Sequence, residues 1–276
     1  MLEKSASMRI GILLLWAFVV SQAFRDVYLG ALFGTLSIYE LAFLTFGTSA
    51  FFSCLSLTIF RRQELKVLWN EWKVVLLLNF TTMVSWLLYF KALSLVEPAA
   101  VNLAFCGVSP AAVIFYGWLG LKDDLQNTSG LEKILHTALF GIVIVMAIII
   151  GLGFGALSGK EAISAVIGIL LAMIAGASIT AEMIFAKRMN NKGVSPSAIV
   201  GVRFLMVTAF CALILSNEHE TFVGYSNIEL VKQAGVLLLI LIIPIYLVQA
   251  GISKTTPLVS GVICSLGPIV TLFLQT

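Results

Sequence analysis

Charge is scarce in this sequence. Asp, Glu, Lys and Arg supply 11% of its 276 residues, where a soluble domain carries about a quarter. Too few polar groups remain to cover a folded surface in water, so a soluble globular protein is excluded. A bilayer asks for this composition, and the 60% hydrophobic content and mean hydropathy of +1.04 accord with it. Cysteine is sparse too. Cys54, Cys106, Cys211 and Cys264 all lie in apolar runs, with no CxxC or Cys/His spacing among them. Neither a metal site nor a disulfide framework is expected, and the thiols read as small packing groups. Nucleotide motifs are also missing. Gly151, Gly153 and Gly155 end an apolar run with no strand before them and no motif lysine, which is not a phosphate loop, and no Walker sequence occurs. Direct ATP drive, a cofactor and a nucleic-acid partner are therefore not expected.

Long apolar runs are what the sequence has. A membrane-crossing helix needs about 20 mostly apolar residues, and nine stretches qualify. In the first half they are Met8–Tyr28, Ile38–Phe60, Val74–Leu95, Ala99–Leu121 and Ile134–Phe154. In the second they are Ala162–Phe185, Ser197–Leu215, Ala234–Ile252 and Leu258–Leu274. The longest links, 122–133 and 216–233, leave no room for a separate soluble domain. Lys4 and Arg9 before the first run, with Ser21-Gln22-Ala23 after it, imitate a signal peptide. The many spans that follow make a retained first helix the expectation. With the N-terminus inside, cytoplasmic segments hold 12 Lys and Arg against 4 outside, Arg203 lying within a span. That asymmetry places the N-terminus in the cytoplasm, with the plasma (inner) membrane as the expected location.

The chain also repeats itself. Ala92 to Pro110 reads ALSLVEPAAVNLAFCGVSP, and Ala250 to Pro268 reads AGISKTTPLVSGVICSLGP. At one offset Ala92 matches Ala250, Val101 matches Val259, Cys106 matches Cys264 and Pro110 matches Pro268, while Asn102 falls on Ser260. Five spans separate the copies, and an odd number inverts the second relative to the bilayer. The expected fold is thus all-α: a polytopic helical bundle of two inverted five-helix repeats, 1–155 and 156–276. After Pro268 only eight residues follow, so the second repeat is expected to lack its last helix, nine being seen of ten. The ending LFLQT has no polar anchor, which favours an incomplete chain over a nine-helix form.

The stretch KALSLVEPAAVNLAFCGVSPAAVIFYGWLGLKD resembles the fourth-helix region of the drug/metabolite transporter superfamily, in its EamA-like permeases. In that region small residues lead to a proline, then to an apolar run closed by an acidic loop. The copy ending at Pro268 is similar to the family's ninth helix, and the short basic N-terminus and Trp16 fit. The resemblance implies ten helices in two inverted repeats with both termini cytoplasmic. It implies a central cavity lined by the first, third, fourth, sixth, eighth and ninth helices. The fifth and tenth would be peripheral, so a missing tenth touches stability or dimer contacts more than the cavity. The family's substrates range from amino acids, nucleobases and polyamines to drugs, and no substrate carries over.

Polar groups in hydrocarbon are costly and mark function or a partner. The third span carries Asn79, Thr82, Trp86, Tyr89 and Phe90 on one face, a stripe able to stack on a substrate; helix packing is the alternative. The fourth places Asn102, Cys106 and Ser109 before Pro110, and the ninth places Ser260, Cys264 and Gly267 before Pro268. Prolines at matching positions point to a midplane site or a hinge, with tolerated membrane proline as the plainer reading. The eighth adds Pro244, Tyr246 and Gln249. Glu182 and Arg203 lie at similar depth and are expected to pair. Arg25 and Asp26, with Gln22, close the first span and Glu40 opens the second, together an outer gate; snorkelling to the interface is the alternative for both groups. His136 and His219 read as solvated, and the Asn79 and Asn127 glycosylation patterns fall in membrane or inside.

The expectation is a secondary transporter of a small organic metabolite or drug working by alternating access, efflux being favoured by analogy. Its cavity would include Trp16, Asn79, Trp86, Tyr89, Asn102, Cys106, Tyr246, Gln249, Ser260 and Cys264. Its partners would be the substrate and the lipid bilayer, with a homodimer left open. A membrane enzyme would need a His/Asp cluster at one depth, and none is seen. A non-transporting membrane scaffold or assembly subunit is the remaining alternative.

Overall fold

A computed structural model of the chain describes residues 2–32, 36–121, 138, 141, 145, 160–218, 221–252, 254–255, 263–264 and 266–275. Among the described residues the structure is helical, joined by turns, with no strand. In chain order the helices are α1 (Leu2–Leu32), α2 (Ile38–Phe60), α3 (Arg62–Asn70), α4 (Trp72–Leu93), α5 (Pro98–Trp118) and α6 (Lys160–Asn191). They continue as α7 (Pro196–Arg203), α8 (Leu205–Leu215), α9 (Asn227–Ile252) and α10 (Gly267–Gln275). Among the described residues, seven stretches are long and apolar enough to cross a membrane. The chain is an all-helical, polytopic membrane protein. Of the nine expected spans, the fifth lies outside the described residues apart from three positions, and the ninth is described only from residue 263.

Local chemistry explains where helices begin and where they break. Ser37 and Glu40 form a capping box: the Ser37 hydroxyl accepts from the Glu40 amide at 3.2 Å, and the Glu40 carboxylate accepts from the Ser37 amide at 2.7 Å. Pro98 and Pro196 each stand in a first turn, where a missing N–H costs nothing. Three features depart from the expected spans. The link after the second span holds a helix of its own, α3. The seventh span is two helices, parted at Phe204 with φ −96° and ψ 0°. The proline positions also differ: α5 runs unbroken past position 110, whereas Pro268 follows a turn at Leu266 and opens α10. A proline in a first turn leaves no amide unsatisfied, so the two sites are not equivalent breaks.

Two compact units emerge, and neither coincides with a half of the sequence. The first comprises Met1–Leu32, Leu88–Ala177 and Ile243–Thr276; the second comprises Phe33–Leu87 and Ser178–Ile242. In the first, α10 packs against α1 and α5. Leu15, Val19 and Ile263 are buried there, with Ile12, Phe18, Val248, Cys264 and Val270 packed around them. Gly176 lets α6 approach α5 so closely that a Cβ would collide with the Phe105 carbonyl, the small-residue contact by which membrane helices gain packing. In the second unit, α2 packs along α7 and α8. The Phe46 ring stacks on Phe204 at 4.9 Å and leans on Trp86 at 5.2 Å.

Candidate functional site

The first unit holds a buried polar network built on Asn102. Its side chain is 1% exposed, and α1, α5 and α10 each supply part of the network. The Asn102 amide donates to Asp26 Oδ2 at 2.6 Å and to Thr271 Oγ1 at 3.1 Å, and its carbonyl oxygen accepts from Gln22 Nε2 at 3.0 Å. Arg25 donates to Asp26 Oδ1 through Nε at 2.9 Å and Nη2 at 2.8 Å. The Arg25 guanidinium also lies 5.9 Å from the centre of the Tyr89 ring, within cation–π range. Tyr89 in turn meets Phe105 edge-on at 4.9 Å. Asp26 and Arg25 cancel one another's charge, so the network is neutral while rich in donors and acceptors. Such an arrangement can exchange internal hydrogen bonds for those of a polar guest without stranding a net charge.

The second unit holds a separate buried pair. Arg203 Nη1 lies 2.8 Å from Glu182 Oε1, and their side chains are 7% and 2% exposed. The guanidinium rests 4.6 Å from the Phe204 ring centre, at the parting of α7 and α8. Asn79 serves that parting: its Oδ1 accepts the Met206 amide at 3.1 Å, while its Nδ2 donates to the Val75 carbonyl at 3.0 Å. A backbone group freed at membrane depth needs such a partner.

The remaining candidates distribute as follows. Tyr89 and Asn102 join the first unit's network, Cys106 is half-buried in that unit, and Cys264 packs in its apolar core. Trp16 and Tyr246 belong to the same unit and are exposed. Asn79 and Trp86 sit in the second unit, Trp86 packed on Phe46. Glu40 is bound to backbone, accepting from the Ser37 and Phe222 amides. Ser260, the Gln249 and Pro110 side chains, His136, His219 and the 151–155 glycines lie outside the described residues. Thr271 was not among the candidates, and Gln22 stood only beside the gate residues.

At the edge of the second unit, α3 is tied to the turn between α6 and α7. Glu64 Oε2 accepts from the Ser195 amide and hydroxyl, each at 2.7 Å, and Glu71 pairs with Lys192. Burial pushes the Glu64 carboxyl up, but donation from Ser195 and Arg61 outweighs it and holds the group below its ordinary value. Among the described residues no three His, Cys, Asp or Glu gather to hold a metal ion.

A comparison with curated proteins gives no match. The model of the EamA-like transporter family matches residues 166–276, from within α6 to the last residue. That family, part of the drug/metabolite transporter superfamily, consists of membrane transporters rather than enzymes. Residues 166–276 are thus similar to the EamA-like transporter family.

Proposed function

We propose that this protein is a secondary transporter that moves a small polar organic molecule across the plasma (inner) membrane by alternating access, its N-terminus in the cytoplasm. The observation that carries the reading is the Gln22–Arg25–Asp26–Asn102–Thr271 network. A polar cluster costs free energy in a lipid-embedded protein and is kept where it meets a substrate or ion. Tyr89 and Cys106 border this site; the repeat sets Ser260 at the place of Asn102 and Gln249 at that of Lys91, and the proposal extends the site to both on that sequence match alone. The chain is read as two inverted repeats, 1–155 and 156–276, with efflux as the direction.

The test is flux in proteoliposomes holding the purified chain, screened with labelled metabolites and drugs. Saturable flux by the wild type, reduced at least about tenfold in Asn102→Ala, supports the reading. That factor corresponds to one lost hydrogen bond to a charged group. Absence of flux from the correctly inserted wild type for every compound class favours a membrane scaffold instead. Flux unchanged in Asn102→Ala moves the site elsewhere.

A further inference from the structure

The stretch from Arg61 to Lys73 carries four cations, Arg61, Arg62, Lys66 and Lys73, and two anions, Glu64 and Glu71. Both anions are engaged with partners of their own. Glu64 accepts from Ser195 and from Arg61 at 3.0 Å, and Glu71 pairs with Lys192. Along α3, Arg62, Lys66 and Trp69 follow at spacings of four and three, so they share one helix face. All three are exposed, Trp69 by 82%, while Leu68 on the opposite side is buried. Just beyond the helix, Trp72 is 57% exposed and the Lys73 ammonium stands 5.8 Å from its ring centre. The result is a face of cations and indoles whose countercharges are turned elsewhere.

Connectivity fixes where that face sits. α2 ends at Phe60 and α4 begins at Trp72, and both are long and apolar enough to span the bilayer. A nine-residue helix strung between two spans is held at the membrane surface. Indole rings favour the headgroup level, and Lys and Arg beside a membrane attract anionic lipid.

We propose that the outer face of α3 is a binding site for the phosphate of an anionic phospholipid headgroup, with Arg62 and Lys66 holding the phosphate and Trp69 seated among the headgroups. The inference goes beyond the transport reading and needs only membrane insertion. Phosphate geometry suits the planar fork of Arg62, with Lys66 as a second point charge one turn away. A soluble acidic partner would pair with the cations and have no use for two exposed indoles.

Native mass spectrometry of the full chain, titrated with phosphatidylglycerol and with phosphatidylcholine of equal acyl chains, tests this. Each surface cation contributes about fivefold in affinity for an anionic membrane lipid. The wild type should therefore prefer phosphatidylglycerol by about tenfold or more, with the preference shrinking as salt rises. Arg62→Gln/Lys66→Gln should bring the two lipids within about twofold of each other. Equal retention by the wild type, a preference that survives the double substitution, or displacement by the same concentration of soluble glycerol phosphate each overturns the proposal. Should the double variant fail to fold, tryptophan quenching by brominated lipids decides. Brominated phosphatidylglycerol should quench more than brominated phosphatidylcholine, and Trp69→Phe should remove most of that excess. An excess unchanged by Trp69→Phe overturns the proposal.

Discussion

Asn102 spends its side chain on three partners, so its loss weakens the bonding of three groups at once. Asn102→Ala leaves Asp26 Oδ2, Gln22 Nε2 and the Thr271 hydroxyl each one bond poorer. Each buried group without a partner costs about 1–3 kcal/mol, and the melting temperature in detergent should fall accordingly. Asn102→Asp should be worse, because it sets a second carboxylate against Asp26. The buried pair of the second unit gives a sharper measurement. Glu182→Ala and Arg203→Ala should each cost about 3–5 kcal/mol by exposing a lone buried charge. The double variant should cost well under their sum, and additive costs in that cycle would show that the two are not coupled. These two residues could be picked from the sequence because a charge at membrane depth implies a countercharge nearby. Thr271 could not. A threonine in an apolar helix satisfies itself on its own backbone, as this one does on the Gly267 carbonyl at 3.0 Å. Its hydroxyl therefore sends no signal of a further partner.

Elements were legible where composition or capping spoke, and illegible where geometry between them decided. The apolar runs located α2, α4 and α5 to within a few residues, and the Ser37/Glu40 spacing marks the start of α2. The parting at Phe204 has no such mark: no proline or glycine stands there, and Asn79 meets it from 127 positions away. α3 escaped notice because its apolar side is only Leu65, Val67 and Leu68, too short for a periodic signal. Its tie to Ser195 has a pH signature. The Glu64 pKa is lower in the folded state, so its contribution is present above the ordinary carboxylate value and lost as pH falls through the lower folded one. Its Arg61 partner is 45% exposed and screened by solvent, so the effect is small. Glu64→Gln should flatten the acid side of the melting-temperature profile between about pH 6 and pH 3, and leave it unchanged near neutrality apart from a uniform offset. For the contact of α6 with α5, Gly176→Leu should destabilise by about 1–3 kcal/mol as the helices are forced apart.

For the molecule as a whole, composition alone was enough to set the class. Its division into compact units was not legible, because each unit takes segments from both halves of the sequence. Spacing along a chain says which segments are alike and is silent on which ones touch. The inverted arrangement has its own test at this scale. In a cysteine-free background, Cys at position 192 should react with an impermeant thiol reagent only from the cytoplasmic side, and Cys at position 91 only from the opposite side. Both reacting from one side would end the inverted-repeat reading.

The Asn102–Thr271 hydrogen bond also has a meaning in time. Its two ends are separated by 169 positions, which at 5–20 residues per second is roughly ten to thirty seconds of synthesis. Throughout that interval the nascent protein carries Asn102 without its last neighbour, while Gln22, Arg25 and Asp26 have already been made. Until then the early partners must keep the amide satisfied, and the helix that bears Thr271 arrives as the clasp on a site already assembled.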